Sequence, residues 1–297
     1  MTLEQLRIFL AVARLEHVTR AAEVLNLTQS AVSAAVQALE AQHGVPFFDR
    51  VGRGIALNEA GRLFLPRAEA LTAKAREAEA WLADVRGGEV GSLRLQASQT
   101  VASYFLPRHL IAFQTRHPRV ALDFRQGNTA SVLAAVRAGE ADLGLVEGRV
   151  EGSDLAAEIV GGDRLVLLVG RDHPWRGRRR LGPDDLAGAD WVLREPGSGT
   201  RATVDEALAA LGIGPVAPLL ELPSNEACIA AIETGRGASV LSDLAAAPHC
   251  ARGRVFEGPA AFPARHFTAI SHRPRHRSRA AENFLALLRA ANMKPSS

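Results

Sequence analysis

Thr19-Arg20-Ala21-Ala22-Glu23-Val24-Leu25-Asn26-Leu27-Thr28-Gln29-Ser30-Ala31-Val32-Ser33 is the stretch on which the reading of the first domain turns. The Thr19 hydroxyl can accept a free N–H of a first helical turn, so Thr19 caps a short helix over Arg20 to Leu25. Asn26 and Leu27 make a tight turn. Thr28 repeats the capping arrangement and starts a helix to about His43. Gly44 then supplies a residue tolerant of the left-handed region, and Pro46 bars continuation. Upstream, Leu3, Leu6, Leu10 and Ala13, with Phe9 beside them, recur at helical spacing. Downstream, Val45 to Phe48 and Gly54 to Leu57 read as two short strands about a tip at Gly52-Arg53-Gly54. Three helices and a small hairpin make a winged helix-turn-helix.

The helix that starts at Thr28 puts Val32, Ala35, Val36 and Leu39 on one apolar stripe. Ser30, Ala34 and Gln37 fall opposite, Ser33 lies on the flank, and Gln29 sits at the tip. One docked face and one small polar face is what entry into a major groove ~12 Å wide requires. Gln can pair bidentately with adenine, Ser can donate to bases or phosphates, and the helix N-terminus favours a phosphate. Arg50 and Arg53 on the wing are placed for backbone phosphates. By composition alone an ordinary amphipathic helix with a solvated face fits equally, because this face carries no Lys or Arg.

From about Glu59 to Val85 the chain is rich in Ala, Glu, Leu and Arg, with Gly61 and Pro66 only near its start. Phe64, Ala68, Leu71, Ala75, Ala78, Leu82 and Val85 alternate steps of four and three, a heptad seam. Such a helix is roughly 40 Å long. It cannot bury that stripe alone, so a partner helix is implied; packing on its own domain is the alternative.

After Gly87-Gly88 and Gly91, strand-like and helix-like segments alternate. Leu93 to Ala97, Ala121 to Arg125, Leu143 to Val146, Leu165 to Val169 and Trp191 to Leu193 read as buried strands. Phe105 to Arg116, Ala130 to Ala138, Arg201 to Leu211, Glu226 to Thr234 and Arg279 to Ala290 read as helices. This alternation predicts two small α/β lobes with mostly parallel sheets. Polar or Gly-rich turns precede the helices at Ser98-Gln99-Thr100, Gly127-Asn128-Thr129, Gly197-Ser198-Gly199-Thr200-Arg201 and Ser224-Asn225-Glu226. In open α/β sheets ligands bind at the carboxyl ends of strands, where helix N-termini offer free N–H groups. Taken singly, Ser98-Gln99-Thr100 and Asn128 read as ordinary N-caps. The density of Gly, hydroxyl and guanidinium groups from Gly197 to Arg201 reads as a ligand turn, with Arg201 suited to carboxylate, sulfate or phosphate.

The 297 residues, 47% hydrophobic and 23% charged, suit two or so soluble globular domains. No basic start followed by an apolar run suggests a signal peptide, and no stretch approaches the ~18 apolar residues of a membrane span. A cytoplasmic protein is expected, with Cys228 and Cys250 as free thiols. The +3 net charge does not locate a DNA site, because residues 1–65 hold six arginines and six acids. The excess lies in Arg171 to Arg180 and Arg273 to Arg279, which read as solvated faces or loops. No nucleophile elbow, HExxH, P-loop or GxGxxG occurs, so neither an enzyme nor a cofactor is expected. His272 and His276, four apart beside Pro274, read as loop rather than metal ligands.

Residues 1–65 resemble the DNA-binding domain of LysR-type transcriptional regulators. The resemblance rests on Leu6-Arg7-Ile8-Phe9, Thr19 to Leu25, Thr28-Gln29-Ser30-Ala31-Val32-Ser33, Leu39-Glu40, Gly44 to Arg50 and Glu59-Ala60-Gly61, and extends along the whole chain. It implies a winged domain (1–58), a dimerising linker helix (59–88) and an effector domain (89–297) similar to periplasmic binding proteins. Lobe I would hold 89–161 and 267–293, and lobe II 162–266, with the ligand between them. It further implies a homodimer or dimer of dimers on promoter DNA, with Gln29 and Ser33 at positions that usually touch DNA; together with the helix face and wing read above, the expected DNA-contact set is Thr28, Gln29, Ser30, Ser33, Gln37, Arg50 and Arg53. Ala34 stands where many members carry a basic residue. Ser98, Thr100, Ser198, Thr200 and Arg201 match cleft-lining positions; Asn128, Glu147 and Asn225 complete the expected effector set. Leu145 to Gly148, Arg194 to Arg201 and Ser224 to Ala227 resemble a subgroup that includes regulators of carbon-fixation and sulfur genes, which points to an anionic metabolite. Glu147 or Glu195 facing the cleft would select against a plain anion.

Overall fold

Thr2 caps the first helix, α1 (Leu3–Leu15): its hydroxyl accepts the Gln5 N–H, and the Gln5 side chain returns the bond. The computed structural model describes residues 1–52, 54–85 and 91–292. They fall into two units, Met1–Leu82 and Ala83–Ser297. In the first unit, α2 (Val18–Leu25) starts two residues before the expected position. Glu16 ends α1 in the left-handed region, and His17, not Thr19, caps α2 by accepting the Arg20 N–H. Thr28 caps α3 (Gln29–His43) as expected, through the Ala31 N–H at 3.2 Å. The wing strands are β1 (Phe48–Val51) and β2 (Gly54–Leu57), antiparallel. The first strand begins later than the sequence suggests, because the Phe47 N–H is taken by Glu40 Oε1 at 2.7 Å and its ring is buried.

Phe9 is the centre of this unit. It is fully buried and meets Phe47 at 5.3 Å, Phe48 at 5.6 Å and Phe64 at 5.0 Å between ring centroids. Phe64 belongs to α4 (Glu59–Val85). The heptad seam therefore divides. Phe64 and Ala68 pack into the unit's own core, while Leu71, Ala78, Leu82 and Val85 are exposed, as is Trp81 at 55%.

The second unit is built on a six-stranded sheet in the order β4-β3-β5-β10-β6-β9. Its strands are β3 (Gly91–Ser98), β4 (Val120–Gly127), β5 (Leu143–Glu147), β6 (Leu155–Gly170), β9 (Ala238–Ser242) and β10 (Val255–His272). Only β4, β3 and β5 run parallel; β10, β6 and β9 are antiparallel to their neighbours. The expectation of mostly parallel sheets is thus corrected. Two chain crossings between lobes in opposite directions pair with each other. A small parallel pair, β7 (Val192–Arg194) and β8 (Leu220–Leu222), completes the second lobe.

Side-chain alternation lets each lobe bury both faces of the sheet. In the first lobe, Leu93, Leu95, Leu143 and Leu145 face α5 (Pro107–Arg116) and α11 (Arg279–Asn292), through Phe113 and Phe284. Val146 and Ile270 face α6 (Thr129–Ala138). In the second lobe, Leu165, Leu167 and Val169 point to α7 (Pro183–Ala187) and α8 (Gly199–Ala210). Val166 and Leu168 point to α9 (Asn225–Glu233) and α10 (Asp243–Ala251). Asp84, at the end of α4 and within this unit, accepts the Arg279 N–H at 3.1 Å.

Phe9→Ala is expected to destabilise the first unit by about 3–5 kcal/mol, the usual cost of emptying a buried aromatic site. Urea melts followed by hydrogen exchange should show early loss of α1 and α3 protection with the second unit's transition unmoved.

Candidate DNA-binding and effector sites

The docked stripe of α3 is buried at Val32, Val36 and Leu39, with Ala35 half-buried. Thr28, Gln29, Ser30 and Gln37 are exposed on the other side, and Ser33 is half-buried. Thr28 Oγ1 and Ser30 Oγ are 3.1 Å apart, which orders both hydroxyls at the helix tip. Arg50 lies exposed on β1. Arg53 lies outside the described residues. Arg20, which the sequence did not single out for DNA contact, is exposed at the start of α2 with no ion-pair partner among the described residues. Its signal was its place in the first turn of the helix that precedes α3.

In the second unit four helix starts meet at the seam between lobes. Thr100 precedes a short π-helix (Val101–Phe105), and Asn128, Ser198 and Ser224 cap α6, α8 and α9. The Ala130 N–H donates to the Gly197 carbonyl across the seam at 3.0 Å. Approach here is close enough that only glycine fits at position 199: a Cβ would sit 2.3 Å from the Glu147 carbonyl oxygen and 2.7 Å from Thr129 Oγ1.

Two buried arginines organise the polar groups. Arg265, in β10, makes a paired contact with Asp163 at 2.7 and 2.9 Å. Its Nη1 donates to Thr200 Oγ1 at 2.9 Å and lies 3.9 Å from Glu147 Oε1. The other Glu147 oxygen accepts from Ser98 Oγ. Arg194, only 2% exposed, pairs with Glu195 at 2.9 Å. Its Nη1 also donates to Gln99 Oε1 and Asn225 Oδ1, each at 3.2 Å. Asn225 Nδ2 donates to Thr100 Oγ1 at 3.1 Å, and Gln99 Nε2 to Glu226 Oε2 at 2.9 Å. Tyr104 donates to the other oxygen of Glu226. Burial, then that hydrogen bond, push the Tyr104 hydroxyl far above its usual range. Burial works against the charged form of Glu226, but the bonds from Tyr104 and its own backbone win and hold it below the ordinary carboxylate range. The pair therefore keeps its proton on the phenol at neutral pH.

Two family descriptions match. Residues 3–62 match "Bacterial regulatory helix-turn-helix protein, lysR family", and residues 86–292 match "LysR substrate binding domain". The chain belongs to the LysR family of transcription regulators. It is 36% identical over 296 residues, 99% of each chain, to the uncharacterized regulator YeiE of Escherichia coli K12. It is 36% identical over 242 residues to the RuBisCO operon transcriptional regulator of Allochromatium vinosum, covering 82% of this chain and 80% of that one. The regulatory domain of Synechocystis PCC6803 CcmR, solved in complex with 2-PG, aligns with a TM-score of 0.63 at 30% identity, over 70% of this chain and all of that one. No helix among the described residues is long and apolar enough to cross a membrane.

Within this LysR regulator the fold brings Ser98, Thr100, Glu147, Ser198, Thr200 and Asn225 together at the seam, all buried. Asn128 is half-buried; it caps α6 and its Nδ2 reaches Glu195 at 3.4 Å. Arg201 lines the same cavity as Ser198 but pairs with Asp205 at 2.9 Å and Glu221 at 2.8 Å, and the guanidinium bonded to a seam hydroxyl is that of Arg265. The i,i+4 spacing of Arg201 and Asp205 was a sequence signal for that pairing. Arg265 had none, because Asp163 lies 102 positions away. Between α6 and α8, reaching the seam at Glu147 and Ser198, opens a cavity of about 950 Å³ lined among others by Thr129, Glu147, Gly148, Ser198, Gly199 and Arg201. Cys228 is fully buried, and burial pushes its thiol up to about 11.

Arg265→Gln leaves Asp163, whose side chain is wholly buried, without its counter-charge. Truncating one member of a buried pair costs about 3–5 kcal/mol. The substitution is expected to lower the thermal midpoint of the second unit, and Arg265→Met with Asp163→Leu to recover most of it in calorimetry.

Proposed function

We propose that this LysR regulator binds promoter DNA through α3 and the wing, and that an anionic small molecule entering between the lobes controls it. The observation that carries the effector reading is the convergence of four helix N-termini, four hydroxyls and the Arg265 guanidinium at one buried seam. Helix N-termini and hydroxyls at strand ends favour a carboxylate, phosphate or sulfur oxyanion. CcmR binds 2-PG in a domain of the same fold at 30% identity. Glu147 sets a condition on that ligand. It already occupies Ser98 and lies near Arg265, and Glu195 occupies Arg194. An incoming anion must displace the Glu147 carboxylate or bring a hydrogen-bond donor to it, so an anion without a donor group is disfavoured.

The functional residues on the DNA side are Thr28, Gln29, Ser30, Ser33, Gln37, Arg50 and Arg53, with Arg20 added. The exposed part of the α4 stripe, from Leu71 to Val85, supports self-association into a dimer or a dimer of dimers. A cytoplasmic, non-enzymatic role is the reading that relatives named as transcription regulators support. A ligand acts only through different affinities for two states. Here the states are two spacings of the lobes, passed to α4 through Asp84 and α11.

Binding to the protein's own upstream DNA tests the reading. Gln29→Ala/Ser33→Ala is expected to lose sequence discrimination more than non-specific affinity. In the same assay, an anion from a panel of phosphorylated and sulfur metabolites should shift the footprint, and Glu147→Gln should alter the response to it. Wild-type discrimination in the double variant removes the DNA-contact assignment. An unchanged footprint with a metabolite that demonstrably binds removes the effector mechanism.

A further inference from the structure

The unit that carries α3 has no surplus of positive charge. Met1–Leu82 holds nine Lys and Arg against nine Asp and Glu. In the second unit, Arg171-Asp172-His173-Pro174-Trp175-Arg176-Gly177-Arg178-Arg179-Arg180 sets five arginines against one acid, which exceeds the +3 of the whole chain. In the other Arg-rich stretch Arg275 donates to the Val136 and Arg137 carbonyls and Arg277 pairs with Glu282 at 2.8 Å, while Arg273 is exposed.

Segment 171–180 is a built turn. It leaves β6 and folds back through Arg176 N–H to His173 carbonyl at 3.0 Å and Arg178 N–H to Trp175 carbonyl at 3.1 Å. His173 and Trp175 anchor it inward. The Trp175 N–H donates to His173 Nδ1 at 3.1 Å, and its ring stands edge-on to Trp191 at 6.3 Å. Arg176 lies 4.1 Å over the Phe256 ring and donates to the Arg171 carbonyl at 3.1 Å. Arg178 is held by Asp185 at 2.8 Å. The guanidinium groups of Arg171, Arg179 and Arg180 are exposed and have no partner among the described residues. The other outward residues of the turn are Asp172, Pro174 and Gly177, so no large apolar side chain faces out.

Protein docking draws its energy from apolar and aromatic anchors, which this surface lacks. A phosphodiester backbone requires only accessible cations, and guanidinium is the best shaped of them. We infer that the 171–180 turn is a second contact surface for duplex DNA, holding phosphates that flank the bases read by α3. It rests on the DNA-binding reading above and adds cations to the few arginines that the charge-balanced first unit offers.

The test uses the full-length protein and two duplexes of its upstream DNA, one trimmed to the minimal footprint and one with long flanks. Arg171→Ala/Arg179→Ala/Arg180→Ala is compared with the corresponding triple Lys variant, both with wild-type thermal midpoints. Each phosphate contact contributes ~0.9 to the slope of log K against log salt. On the flanked duplex the Ala variant is expected to bind with a slope shallower by about 2–3, the Lys variant to restore it, and discrimination to stay unchanged. On the trimmed duplex all three proteins should coincide. Equal slopes for wild type and the Ala variant on the flanked duplex overturn the inference, and would leave an acidic protein as the partner to seek. An equal loss on both duplexes also overturns it. The Gln29→Ala/Ser33→Ala variant in the same titration reports separately on the parent reading: if it discriminates like wild type, the assignment of α3 has failed whatever the turn does.

Discussion

Antiparallel pairing of β6 with β10 governs the second unit. Leu155 to Gly170 lies along Val255 to His272, from the first lobe into the second. Each strand buries both faces at both ends, in different cores. Where the pair passes between the lobes its register slips, between Glu257 and Ala261, between Ala261 and Ala264, and between Phe267 and Thr268. The Arg265–Asp163 ion pair sits between those slips, on the short in-register run from Ala264 to Phe267, and ties the two strands together by side chains there. The seam residues inherit their positions from it. Thr200 is aligned by Arg265, Glu147 ends β5 beside β10, and Ser98 ends β3 beside β5.

The sequence was most informative where periodicity was strict or a cap was isolated. The α3 stripe, the Thr28 cap, α4, α6 and α11 follow from apolar spacing and from residues that satisfy free N–H groups. The heptad pattern of α4 was half ambiguous, because the same period serves a coiled coil and a helix lying on its own core; Phe64 and Ala68 take the second course. What escaped was non-local. β10 contains Pro259 and Pro263, which argue against a strand, and the structure places them at the register slips where an unpaired backbone is tolerated. A strand broken in this way shows no clean alternation, so β10 and the role of Arg265 were not legible.

Of the expected effector set, the residues that stand at strand ends or helix caps came together because those positions converge in any open α/β sheet. Arg201, in the first turn of α8, is matched by Asp205 and Glu221. The two arginines that do enter the seam are each matched by carboxylates, so what it offers to the proposed anionic effector is hydroxyls and backbone N–H groups more than net positive charge.

The order of the chain through β6 and β10 has a consequence for biosynthesis. The second lobe is an insertion: its residues lie between the two crossings, whereas the first lobe needs β10 beyond Phe267 and the buried face of α11, Phe284, Leu285 and Leu288. On a ribosome, which releases the chain from its N-terminus, the winged domain and most of the inserted lobe emerge before the last pieces of the first lobe. The first lobe, begun early, is the last to close. Until translation ends, its half-built sheet exposes the edge of β5 that β10 will cover, and a stalled or truncated chain presents that edge to whatever protein is nearest.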